Sequence, residues 1–124
     1  MIVFPLKTNK KDSAISPLFG KAKYFAFYDG KSLQIEKNEL NSGSKLIDWF
    51  ISKNVDKIVI KEMGSSPYEK IKKTNIEIFY AGDERITSEE LINKINDQSL
   101  QKLKEEQIKE IIKKHKNSHK HSSH

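Results

Sequence analysis

The sequence predicts an α/β fold. Three observations carry that expectation. Short β-branched and aromatic runs have strand length, apolar residues recur at helical spacing between the later runs, and capping residues stand at the junctions. Read in order, they give strand–strand–strand–helix–strand–helix–strand–helix. The last strands, joined through helices, should run parallel with right-handed crossovers. At 124 residues the chain fits one domain with a modest core.

Met1 to Leu6 reads as a buried strand, and Pro5 implies that its end is not paired on both sides. Residues 7–21 form a long polar loop. Ala22 to Asp29 is the second strand, in which Tyr24, Phe25, Phe27 and Tyr28 supply two aromatics to each face. After a tight connection at Gly30-Lys31, Leu33 and Ile35 alternate with polar residues through Ser32–Asn38, completing an antiparallel hairpin. Asn41-Ser42-Gly43-Ser44 breaks the chain and caps a helix carrying Leu46, Ile47, Phe50 and Ile51. Lys57–Ile60 is a β-branched strand. Ser66 as cap, Pro67 at the first helical position and Glu69 then open a short helix. Ile76 to Tyr80 is a further strand, and the capping box Thr87-x-x-Glu90 opens a helix with Leu91, Ile92 and Ile95.

Beyond Ile95 the pattern changes. Residues 1–96 form the domain, and 97–124 form an extension. Leu100, Leu103, Ile108, Ile111 and Ile112 give residues 98–114 a thin apolar stripe, expected as an amphipathic helix. That helix either docks on the domain or pairs with itself or with a partner protein. The end, HKNSHKHSSH, is expected to be disordered. His115, His119, His121 and His124 are the chain's only imidazoles, a composition suited to loose binding of a divalent metal such as zinc, nickel or copper.

Several classes fall away on composition. The chain has no cysteine, which excludes disulfides, thiolate clusters and cysteine nucleophiles. Its net charge of +6 divides evenly between residues 1–96 and 97–124, which fits a weak anionic partner but no nucleic-acid-binding stripe. No apolar run is long enough to span a bilayer, and the start MIVFPLKTNK is not a signal peptide, so a cytoplasmic location is expected. Neither a nucleophile elbow nor a P-loop is present, and no histidine precedes residue 115. A non-enzymatic protein is expected.

Two stretches suit a binding site. Ser16-Pro17-Leu18-Phe19-Gly20-Lys21 is a bend flanked by positive charge. It reads either as a loop feeding a buried strand or as a loop beside a ligand pocket. Gly64-Ser65-Ser66 offers backbone N–H groups and two hydroxyls, either as an ordinary cap or as an anion site.

Phe19-Gly20-Lys21-Ala22 followed by Tyr24-Phe25 resembles the FGRA-x-YF signature of the dinitrogenase iron–molybdenum cofactor biosynthesis family, the NifX-type proteins and the domain at the tail of NifB. The likeness runs through roughly residues 1–95. It implies a ribonuclease-H-like motif: a five-stranded mixed sheet of order 3-2-1-4-5 with helices, here followed by a C-terminal helical extension. Nucleases of that topology need several carboxylates around two metal ions, one usually from the first strand, and Met1–Leu6 has none. The resemblance implies instead a binding or carrier protein for iron–molybdenum cofactor, a precursor iron–sulfur cluster or a small anion. Ser16, Phe19, Gly20, Lys21 and Tyr24 would then face Gly64, Ser65 and Ser66 across one pocket, with Phe19 and Tyr24 shaping it and Lys21 neutralising charge. The chain departs from the pattern in three places. Leu18 and the segment Asn38–Gly43 stand where many members carry histidine, and Lys21 replaces arginine.

Overall fold

In the computed structural model, residues 1–40 and 42–122 are described, with side chains through Lys116. The elements are β1 (Ile2–Leu6), β2 (Tyr24–Tyr28), β3 (Leu33–Lys37), α1 (Gly43–Ser52), β4 (Lys57–Ile60), α2 (Ser65–Ile71), β5 (Glu77–Tyr80), α3 (Ser88–Asn96), β6 (Gln101–Lys102) and α4 (Glu105–Ser122). The strands form one mixed sheet in the order β3-β2-β1-β4-β5-β6. β1, β2 and β3 are antiparallel neighbours, whereas β1–β4 and β4–β5 are parallel. Pro5 pairs with Phe25 of β2, but the ladder to β4 involves only Ile2 and Val3. The parallel ladder therefore ends before the residue that lacks an N–H.

Side-chain alternation divides the core into two layers. Val3, Phe25, Phe27, Ile58, Ile60 and Ile78 meet Leu46, Ile47 and Phe50 of α1 and Tyr68 and Ile71 of α2. On the other face Phe4, Leu6, Ala26, Tyr28 and Val59 pack with Leu91 of α3 and with Ile15 and Ile86. Helices thus cover both faces of the sheet, the arrangement that buries a sheet apolar on both sides.

The sheet has six strands rather than the expected five. The helix expected over 98–114 is instead split. α3 ends at Asn96, Gln98 takes a left-handed φ of 56°, and the Ser99 N–H donates to the Lys94 carbonyl at 3.0 Å. Gln101 and Lys102 then pair antiparallel with Tyr80 and Phe79. Strand geometry sends Leu100 to the α3 layer and Leu103 to the opposite layer, although their three-residue spacing is equally helical. α4 begins at Glu105 and runs to Ser122, into the stretch expected to be disordered. Leu103 and Ile108 are buried, and Ile111 and Ile112 pack partly buried on the α1/α2 layer, so the extension docks on its own domain.

The cap of α2 also differs. Gly64, not Ser66, is the N-cap, with no side-chain cap hydrogen bond, and Pro67 is the third helical residue. Proline is tolerated there because the first four N–H groups of a helix have no intrahelical partner. The α1 and α3 starts follow the sequence: Ser42 Oγ accepts from the Lys45 N–H at 3.2 Å, and Thr87 and Glu90 form a full capping box. Asn41 lies outside the described residues. None of the described helices is long and apolar enough to cross a membrane.

Candidate functional site

The loop before β2 is fixed at both ends. Ile15 donates its N–H to the Ile86 carbonyl at 2.9 Å, and Leu18 forms a parallel bridge with Glu62 just past β4. Between these points Ser16 Oγ accepts from the Leu18 N–H at 3.2 Å and tightens the bend before Phe19. Phe19 is inserted into the core, edge-on to Phe25 at 5.6 Å and Phe50 at 5.9 Å between ring centroids. This anchor holds Gly20 and Lys21 at the surface beside Met63 and Gly64.

The result is a cavity of about 210 Å³ with four walls. Leu18 to Lys21 form one, and Ser42 and Gly43 at the start of α1 form a second. Met63, Gly64 and Pro67 form a third, and His115 of α4 closes the fourth. Gly43 brings α1 against α2: a Cβ built there would lie 2.8 Å from Pro67 Cδ. The His115 ring edge lies against Gly64, with Cδ2 and Nε2 each 3.6 Å from a Cβ built on that glycine. His115 Nδ1 faces Glu62 Oε1 at 3.4 Å.

No carboxylate lines this cavity, and the first turns of α1 and α2 contain no acidic side chain. The Lys21 ammonium and the amino-terminal end of α1 contribute positive charge to its rim. A larger hollow of about 580 Å³ lies near β5, β6 and the start of α4. Two of its lysines are engaged in ion pairs, Lys72 with Glu69 at 2.8 Å and Lys102 with Glu77 at 2.5 Å.

Of the residues singled out in the sequence, the fold brings Phe19, Gly20, Lys21 and Gly64 together in this cavity. Ser16 is buried and serves the bend. Tyr24 packs on the opposite face of the sheet from Phe19, because it alternates with Phe25. Ser65 and Ser66 are exposed and do not line the cavity. His115 does not belong to a loose tail but sits in the cavity wall. The side chains of His119 and His121, and all of His124, lie outside the described residues. The sequence did hold a signal for His115, which continues the helical stripe Ile108, Ile111, Ile112 by one turn.

The fold and the cavity define a small α/β domain with a lysine-rimmed pocket between its first loop and its helix starts. The family model described as dinitrogenase iron-molybdenum cofactor matches residues 1–98, and the chain belongs to that family. Among solved structures, the chain is similar to a NifB-type protein from Thermotoga, at 22% identity over 82% of this chain and 91% of that one, with a TM-score of 0.70. It is likewise similar to the apo orange protein of Desulfovibrio gigas, at 12% identity over 82% and 91% of the two chains and a TM-score of 0.71. A dinitrogenase-type protein from Methanocaldococcus jannaschii is 21% identical over 82% and 92%, with a TM-score of 0.62. At these identities the likeness is one of fold. No curated protein matches the chain.

Proposed function

We propose that this protein is a non-enzymatic carrier that holds an anionic metallocluster, iron–molybdenum cofactor or a precursor of it, in the cavity between Leu18–Lys21 and Gly64–Pro67. The observation that carries this reading is the cavity itself, which is free of carboxylates, rimmed by Lys21 and closed by an imidazole. Metal–sulfur clusters of this kind are anions, and a fixed cation beside a helix start favours them. Among the described residues no group of three or more His, Asp or Glu side chains is arranged to hold a bare metal ion. A cargo that brings its own sulfide ligands suits such a pocket better than an aquated ion does. The packing of Leu103, Ile108, Ile111 and Ile112 onto their own core weighs against the alternative of an interaction module, since that stripe is already covered.

The test uses a cavity-filling change. A Cβ added at Gly20 meets nothing within 4 Å, so Gly20→Leu starts from open space at the cavity wall and adds bulk there. Protein produced anaerobically with iron, sulfide and molybdate is expected to retain iron and molybdenum after desalting. Gly20→Leu and Lys21→Gln are expected to retain much less, with thermal stability unchanged. Equal metal content in all three would remove this cavity as the binding site.

A further inference from the structure

α4 lies beyond the segment matched by the family model, which stops at residue 98. Its register on the domain is set by Ile108, Ile111 and Ile112, which pack on the α1/α2 layer. One turn further, the same stripe carries His115, and there the helix has reached the cavity. The ring lies directly against Gly64. Gly64 has φ −84° and ψ 171°, an extended conformation open to any residue, so backbone geometry does not call for glycine here. A Cβ built there would stand 3.6 Å from the ring edge that carries Nε2, ordinary van der Waals contact, so the imidazole packs closely over this residue. The other ring nitrogen, Nδ1, faces the Glu62 carboxylate at 3.4 Å. A carboxylate at Nδ1 orients the ring, the usual support for a metal-binding histidine. The Glu62 backbone is tied to the first loop by its parallel bridge to Leu18.

We infer that the C-terminal extension delivers a ligand to the pocket: His115 Nε2 coordinates one metal of the bound metal–sulfur cargo. This rests on the carrier reading above. It specifies a cargo with one coordination position open to nitrogen, the remaining ligands being its own sulfides. It also separates His115 from the histidines that follow it, which it assigns no part in holding cargo.

The full-length protein is titrated anaerobically with ferrous iron plus tetrathiomolybdate, and iron K-edge X-ray absorption reads imidazole scattering in the complex. Wild type is expected to bind with one imidazole on iron. His115→Ala is expected to lose that scattering and to bind at least about tenfold more weakly, the order of loss seen even for supporting partners of a metal ligand. His119→Ala/His121→Ala is expected to match wild type. His115→Gln, which keeps side-chain bulk on α4, is expected to behave as His115→Ala with native circular dichroism, excluding misfolding as the cause. Binding by His115→Ala with wild-type affinity and scattering would overturn the inference and leave the carrier reading intact. Weaker binding by that variant with no imidazole on iron in wild type would also overturn it, leaving His115 a packing role. No binding by wild type would overturn both.

Discussion

A methyl group added at Gly43 would lie 2.8 Å from Pro67 Cδ, closer than real Cβ contacts come, and both partners sit at the starts of packed helices. Gly43→Ala is therefore expected to cost about 1–3 kcal/mol, as overpacking does, read as a lowered urea midpoint with an unchanged slope. Tyr80 offers a pH test. Burial, and secondly its hydrogen bond to Asp83, push the phenol from 10.0 to about 12. Because the folded-state value is the raised one, the stability it contributes is complete below pH 10 and fades as pH climbs towards 12. Absorbance titration should show one tyrosine ionising last, and Asp83→Asn should bring it earlier; a Tyr80 that ionises with the others would refute the assignment. At this scale the sequence was partly legible. Phe19, Gly20 and Lys21 stand out because a bend flanked by charge precedes an aromatic strand. Tyr24 was grouped with them by resemblance, although strand alternation with Phe25 already sends it to the other face.

At the level of elements, caps and alternation were the readable signals. Ser42 and the Thr87/Glu90 box cap α1 and α3 through their own side chains, so the signal and the geometry coincide. At α2 two consecutive serines before a proline suggested the wrong cap, because the helix gains a turn's start from Gly64 when Pro67 needs no N–H partner. β6 was not legible, since two residues are too few for a strand pattern and Leu100 and Leu103 also fit a helix. Its existence depends on the open edge of β5, a tertiary fact. Leu103 is buried in the α1/α2 layer and its N–H donates to the Ile78 carbonyl at 2.8 Å. Leu103→Ala should cost about 2–5 kcal/mol and loosen α4, seen as faster amide exchange across 105–112. A loss under about 0.5 kcal/mol would be that of a surface position and would contradict the docked extension.

For the whole molecule, the fold divides labour between a family domain and an extension. The sheet and its helices build three walls of a basic cavity from residues 18–67, and α4 supplies the fourth from outside the family segment. The domain was legible because its strands and caps follow local rules, whereas the cavity's fourth wall depends on where a docked helix points. The most direct measurement of the central claim is a two-dimensional 15N–1H NMR map of the full-length protein, recorded before and after anaerobic loading with iron, sulfide and molybdate. Shifted or broadened amides are expected at Gly20, Lys21, Gly43, Gly64 and His115, with those over the 580 Å³ hollow near β6 unchanged. Changes confined to residues after His115, or centred on that hollow, would contradict the claim.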